Sequence, residues 1–292
     1  MKAYIMPIPV ESHGLRRVRG ALIRYAPDDV DIVDDQNEAD LTVLHVIGRQ
    51  DRNRRRAEWC KRSGQKYAVI QYCLRSTLRP ATDGWLPLWE NAALVWSYYD
   101  LGACCKEDGV STDFPFYHAP LGADAEIFYP RNQGHEYIIA THGLSWVTES
   151  NREAYYAAER IGRKVFHLGA EFNRSHIICR AEIDDDTLAE LYSKCEFVAG
   201  LRRTEGFELP VIEGLLCGAR PICFDQRHYR QWFEPWAVFI PEGSREEVID
   251  SLEAAFRNGA NPVIETEREE ARRFFDWETI VGGFWERVLS GA

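Results

Sequence analysis

The stretch Thr204-Glu205-Gly206-Phe207-Glu208-Leu209-Pro210-Val211-Ile212-Glu213-Gly214-Leu215-Leu216-Cys217-Gly218-Ala219-Arg220-Pro221-Ile222 reads as a loop, a short helix and the start of a strand. Gly206 and Pro210 punctuate the loop, because glycine permits dihedrals closed to other residues and proline presets φ at a helix start. Residues 211–217 form the helix, and Gly218 stands where a left-handed cap is wanted. Pro221-Ile222-Cys223-Phe224 is an apolar run of strand length that stops at Asp225. Glu205 and Glu213 bracket the loop and the helix start. A glutamate in an otherwise apolar helix costs free energy unless it is satisfied, so a polar group belongs at this helix N-terminus.

Working outward, strands alternate with helices along the whole chain. Residues 3–8 read as a strand, the Ser12-His13-Gly14 loop follows, and residues 15–25 carry Leu15, Val18, Leu22 and Ile23 at helical spacing. This strand, glycine-containing loop and helix open a Rossmann-like unit and place free N–H groups where anions bind. Residues 30–33 and 39–48 are the next strands, and His45 sits near the C-terminal end of the second. Residues 49–63 form a strongly basic helix with Arg49, Arg52, Arg54, Arg55, Arg56, Lys61 and Arg62. Further strands are expected at 67–72, 92–96 and 116–120, with residues 74–90 irregular. After a junction at 121–130, strands are expected at 137–143, 164–168, 177–179 and 197–200. Helices are expected at 151–162, 184–194, 245–258, 265–275 and 277–289. The pattern is that of an α/β protein with mostly parallel sheets. Ligands of such sheets bind outside the C-terminal strand ends, which draws attention to His45 and to His142 before Gly143.

The bulk numbers agree with this reading. A chain of 292 residues with 45% hydrophobic side chains can bury a core in one large or two ordinary domains. The net charge of -11 is uneven: residues 1–124 hold 16 Lys and Arg against 17 Asp and Glu, and the remainder 19 against 29. A near-neutral first half and an acidic second half suggest two units with different partners. The eight cysteines form no C-x-x-C pair and no metal-spaced cluster with histidine, and read as buried thiols of a reducing cytoplasm. No signal peptide is evident, and no apolar stretch approaches the roughly 20 residues that span a bilayer. The series Trp85, Trp89, Trp96, Tyr98 and Tyr99 reads as core, or else as an aromatic wall of a binding site.

Several segments resemble one family. Gly122-Ala123-Asp124-Ala125-Glu126-Ile127-Phe128-Tyr129-Pro130 is similar to the start of the C-terminal domain in GT-B glycosyltransferases. The match is to the large retaining family that includes sucrose- and mannosyl-type transferases. Glu205 and Glu213 have its E-x7-E spacing, and Thr204 to Pro210 resembles its E-G-F-G-L-P loop. Residues 186–192 are similar to the preceding helix, and Phe274-Phe275-Asp276-Trp277-Glu278 resembles the terminal segment. The resemblance implies a GT-B fold, with two Rossmann-like domains, a cleft between them and a C-terminal helix crossing back to the N-terminal domain. The boundaries implied are 1–121 for the acceptor domain, 122–275 for the nucleotide-sugar domain and 276–292 for the returning helix.

The function implied is transfer of a hexose-type sugar from a nucleotide-sugar, UDP-linked, to a hydroxyl acceptor, with retention and without metal or other cofactor. The leaving diphosphate needs fixed donors. On this resemblance the N–H groups of Phe207, Glu208 and Leu209, after Gly206, face the diphosphate, Glu213 accepts from the ribose and Glu205 contacts the sugar. His45 lies near sugar and acceptor, and His13 and Gly14 close over the diphosphate. The chain departs from the family in two places. Glu208 stands where glycine is usual, and the Arg and Lys pair expected after Gly143 is reduced to Arg152. Arg202 and Arg203, beside the motif, are the substitute cations.

The basic helix carrying Arg52, Arg55 and Arg56 points to an anionic acceptor, since cations raise local affinity and encounter rate. One candidate is DNA with hydroxymethylated pyrimidines, as in phage-type DNA glycosyltransferases, with the target base flipped out. Another is a lipid or polysaccharide at a membrane surface, although Ala57, Trp59 and Cys60 are few apolar residues for insertion. A third reading is a catalytically weak nucleotide-sugar-binding module.

Overall fold

The computed structural model describes residues 1–292 apart from residues 9–12, 48–49, 75–83, 132–133, 144–149, 170–173, 204–206 and 292, with the side chains of 13 and 50–54 also undescribed. Among the described residues twelve strands make two parallel six-stranded sheets. The chain divides into two compact units, Met1–Leu121 with Trp277–Ala292, and Gly122–Asp276.

The first unit runs β1 (Lys2–Ile5), α1 (His13–Arg24), β2 (Asp31–Ile32), β3 (Leu41–Val46), α2 (Gln50–Ser63), β4 (Lys66–Gln71), α3 (Leu86–Trp89), β5 (Leu94–Ser97), α4 (Leu101–Asp108) and β6 (Phe116–His118). Its strand order is β2-β1-β3-β4-β5-β6. Every residue of β3 is buried, which is why this central strand reads as an apolar run broken only by Thr42 and His45. The order reverses between β1 and β3, so the ligand-binding end of this sheet is where β1 feeds α1 and where His45 sits.

The second unit runs β7 (Tyr137–His142), α5 (Asn151–Arg160), β8 (Val165–Leu168), β9 (Ile177–Arg180), α6 (Asp185–Ser193), β10 (Cys195–Gly200), α7 (Leu209–Leu216), β11 (Arg220–Phe224), α8 (Arg227–Phe233), β12 (Val238–Ile240), α9 (Arg245–Asn258) and α10 (Glu265–Phe274). The order is β12-β11-β10-β7-β8-β9, the doubly wound Rossmann arrangement, with its switch point between β7 and β10. The last helix, α11 (Trp277–Ser290), belongs to the first unit. There the Trp285 indole donates to the Leu22 carbonyl at 3.2 Å, the Tyr117 hydroxyl donates to the Ile280 carbonyl at 3.2 Å, and Phe284 packs on Trp96.

The elements differ from the sequence expectation where local signals are short. The first strand stops at Ile5 rather than residue 8, and α3 lies inside the stretch expected to be irregular. Helix α4 was not expected, although its caps are in the sequence: the Asp100 carboxylate accepts from the Ala103 N–H at 2.9 Å, and Gly109 ends it with φ 71°. Helix α8 and strand β12 were not expected either. A three-residue strand has no periodicity of its own and exists because β11 pairs with it. Trp85, Trp89, Trp96, Tyr98 and Tyr99 are all buried, as core. All eight cysteines are free thiols. Among the described residues no helix is long and apolar enough to cross a membrane.

Helix α7 lies against β10 through Gly214, where a methyl group would meet the Val198 side chain at 2.7–2.8 Å. Alanine is the better helix former by about 1 kcal/mol, but overpacking a tight contact costs roughly 1–3 kcal/mol. Gly214→Ala is therefore expected to lower stability, read as a reduced denaturant midpoint. A raised midpoint would mean the α7–β10 contact has slack.

Candidate functional site

The β7–β10 switch point collects the polar residues of the second unit. Strand β7 delivers His142 and then Gly143, whose φ of 108° suits glycine. Beyond β10 the chain presents Arg202 and Arg203, and Glu208 is the N-cap of α7. Glu208 is only 4% exposed. A buried carboxylate needs partners, and three elements supply them. From β7, the His142 ring Nε2 lies 2.9 Å from Glu208 Oε2 and 3.0 Å from the Ala199 carbonyl. Both neighbours are acceptors, so Nε2 carries the proton. From the turn after β10, the Arg202 Nε lies 3.1 Å from Glu208 Oε2. From α8, the Tyr229 hydroxyl donates to Glu208 Oε1, and itself accepts from the Arg202 N–H at 3.2 Å. Burial pushes the Glu208 carboxyl up, but the charges of His142 and Arg202 and the hydrogen bonds of His142 and Tyr229 outweigh it and hold it below its ordinary value.

The segment beside this cluster is equally constrained. The Gly143 N–H donates to the Leu168 carbonyl at 3.1 Å. A side chain at Gly169 would meet the Gly143 carbonyl at 2.6 Å, so the two backbones can approach only because Gly169 has none. The Asn151 side chain donates to the His142 carbonyl at 3.1 Å. Ser150, just before α5, is buried with φ 42°, a left-handed conformation rare outside glycine and found at constrained sites. Arg152 is exposed in the first turn of α5.

The motif's other residues divide between anchor and site. Phe207 is buried against Trp232, Phe233 and Phe275, with the Phe233 ring 5.5 Å away. Leu209 opens α7, and Glu213 is 1% exposed within it. The Arg203 guanidinium donates to Glu242 at 3.3 Å and to the Gly243 carbonyl at 3.2 Å, and lies over the Phe224 ring. Glu205 and Gly206 lie outside the described residues.

In the first unit, His45 Nδ1 is 2.8 Å from the Tyr72 hydroxyl, with the two rings stacked. Burial, with the nearby Arg19 charge, pushes His45 down to about 3. His13 and Gly14 begin α1, the His13 side chain lying outside the description. On α2 the Arg55 side chain is exposed and Arg56 partly so, while that of Arg52 lies outside the description. The packed face of α2 is Ala57 and Cys60. The structure thus joins His142, Arg202 and Glu208 from the sequence reading with Tyr229, which the sequence did not flag. Tyr229 lies on the unexpected α8, and a strand-to-helix boundary after Asp225 was the available signal.

Two buried histidines set a pH dependence. His167 accepts no charge easily: burial and the neighbouring His142 push it down to about 4. Both His45 and His167 are neutral when folded but take up a proton near pH 6.5 when unfolded. Stability is therefore full above pH 6.5 and falls as the pH drops toward the folded values. Each histidine contributes up to about 2 kcal/mol of loss between pH 6.5 and 5, at about 1.4 kcal/mol per unit. Urea denaturation of the wild type across that range is expected to show the fall, and the His45→Gln and His167→Gln variants are expected to flatten it. An unchanged slope in both would refute the assignment.

No protein-family model matches the chain, and no curated protein matches it in sequence. Solved structures do match its fold. The sucrose-phosphate synthase of Thermosynechococcus elongatus superposes with a TM-score of 0.72 at 15% identity, over 100% of this chain and 99% of that one. HepE of Anabaena, solved with UDP, gives 0.75 at 12% identity over 99% and 100%. WaaG, a glycosyltransferase involved in lipopolysaccharide biosynthesis, gives 0.64 at 12% identity over 99% of each chain. The likeness runs the full length of both partners, across both parallel sheets, and the fold of this chain is that of the GT-B glycosyltransferases: two Rossmann-like units, each built on six strands.

Proposed function

We propose that this chain is a glycosyltransferase that moves a hexose from a UDP-linked sugar to a hydroxyl acceptor, without metal and with retention at the anomeric carbon. The observation that carries this reading is the cluster at the β7–β10 switch point, where Arg202 and the N-terminus of α7 stand together. Ligands of doubly wound sheets bind at such points, and a helix N-terminus favours anions. Glycosyl transfer develops negative charge on the leaving diphosphate, and a preorganised cation with backbone donors stabilises it. Arg202 and the N–H groups of Phe207, Glu208 and Leu209 take that role. Glu213 meets the ribose, Glu205 the donor sugar, and His45 the sugar and acceptor. The complexes of HepE with UDP and with UDP-glucose support the donor class.

The acceptor proposed is a hydroxymethylated pyrimidine in DNA, supported by the exposed Arg55 on the basic α2. The role of WaaG in lipopolysaccharide biosynthesis favours a second reading, a lipid or polysaccharide acceptor. The test is UDP release from UDP-glucose, UDP-galactose and UDP-N-acetylglucosamine, with hydroxymethylated duplex DNA or lipopolysaccharide core as acceptor. Release that rises with the DNA, with affinity falling steeply in salt, supports the first reading. Release only with lipopolysaccharide core supports the second. Tight UDP binding with no release under any condition would overturn the enzyme and leave a binding module.

A further inference from the structure

We propose that the first unit carries a second binding site, a preformed pocket for a neutral sugar ring at the N-terminal end of its sheet, with Trp59 as its aromatic wall. A cavity of about 540 Å³ opens there, and Asn37, Asp40, Trp59, Ser63, Gln65 and Lys66 are among the residues that line it. That volume falls within the range of roughly 300–1,000 Å³ usual for small-molecule sites. The pocket lies where β3 and β4 begin and where α2 ends. His45 is five residues along β3 from Asp40, which is roughly 16 Å at the rise of a parallel strand. The pocket is therefore separate from the C-terminal strand ends of this sheet, and it stands independently of the donor and acceptor proposed above.

Trp59 differs from the other tryptophans. Of the eight among the described residues seven are buried, and only Trp59 is partly exposed. Among the described residues no other ring stacks on it and no acceptor meets its N–H. An indole left partly in water offers a flat apolar face beside a polar edge, and the C–H face of a pyranose packs on such a surface by dispersion and burial. The hydroxyls of a sugar each donate once and accept twice, so they need partners of both kinds. Lys66 and the Trp59 N–H are donors, and the Asp40 carboxylate and the Asn37 amide oxygen are acceptors. These groups are held in advance. Asp40 Oδ2 accepts from the Lys2 N–H at 2.8 Å, and the Asn37 side chain donates to Asp35 at 2.9 Å. The Gln65 amide donates to the Gln36 and Ala39 carbonyls and accepts from the Thr42 hydroxyl at 3.3 Å. A prearranged site loses less freedom on binding. The electrostatics select against anions. The lining side chains hold one acid, Asp40, and one base, Lys66, and α2 ends at Ser63, which brings the negative pole of its dipole to the pocket. A phosphate would meet no excess of cations there, whereas a hydroxyl meets both donors and acceptors.

The experiment is nuclear magnetic resonance of the full chain labelled with nitrogen-15. The tryptophan indole N–H signals are followed while maltose, lactose or chitobiose is added up to about 50 mM, well past the millimolar affinity of an open site. The Trp59→Phe variant identifies the Trp59 signal by its loss. The expected result is a saturable shift of that signal with at least one of the disaccharides, without a matching shift of the buried tryptophans, and none with inorganic phosphate. Followed on the sugar's own signals, Trp59→Ala is expected to weaken binding by about 10-fold. Trp59→Phe, which keeps a ring, and Asp40→Asn, which removes the charge, are each expected to weaken it by about 3-fold. If Trp59→Ala does not fold, the Asp40→Asn result decides. No shift with any of the three sugars, an equal shift with phosphate, or undiminished sugar binding by the deciding variant would overturn the site. UDP release by the wild type tests the glycosyltransferase reading separately, so either can fail while the other stands.

Discussion

Arg202→Ala is expected to lower kcat/KM for the nucleotide-sugar by about 100- to 1000-fold, the loss typical of removing one preorganised donor from a developing anion. The effect should fall mainly on kcat, because the charge on the leaving diphosphate grows toward the transition state. Arg202→Lys keeps a charge but replaces the planar fork with a point charge, so it should recover little. Steady-state UDP release measures both. The variant also leaves Glu208 buried with His142 and Tyr229 alone, so a modest loss of stability accompanies the kinetic one. A loss under about 3-fold would be too small for the leaving-group cation and would move the role to Arg152, exposed in the first turn of α5.

Arg220→Ala is expected to be the most damaging single change to the second unit. Arg220 begins β11, and its side chain is 9% exposed. Its guanidinium donates to both Glu267 oxygens at 2.9 Å and to the carbonyls of Trp236, Asn261 and Pro262 at 2.9–3.1 Å. Glu267 in turn accepts from the Ile264 N–H at 3.0 Å at the start of α10. One residue therefore holds β11, the turn before β12 and the link between α9 and α10. Its removal strands three carbonyls and a carboxylate together, at a cost of about 3–5 kcal/mol. For a unit of this size the melting temperature should drop by roughly 10 °C. Arg220→Lys should keep most of the defect, because a single ammonium cannot serve the fork. A fall of less than about 1 kcal/mol in urea denaturation would mean the carbonyls find water.

Much of the fold was legible because its signals are local. The buried runs of β3, β4, β7 and β10 announce central parallel strands, since both faces of such strands are covered. Gly218 and the Ser244 capping box of α9 mark boundaries that depend only on their own dihedrals and hydrogen bonds. Strand β12 and helix α8 were not legible, because three residues and seven residues carry too little pattern to outvote a loop. The candidate site was legible in part. The spacing of Glu205 and Glu213 and the position of Arg202 beside the motif pointed to the region where His142, Arg202, Glu208 and Tyr229 gather. The sequence also made Glu208 look like a charge set against the ligand.

The sequence by itself determined two α/β units and the motif that opens α7, because burial periodicity and the dihedral demands of glycine and proline act within a few residues. The company of Glu208 was decided only by the tertiary structure. His142, Arg202 and Tyr229 come from β7, the turn after β10 and α8. They meet on one carboxylate because the strand order places β7 beside β10 and β10 beside β11, and that order is written in no spacing along the chain.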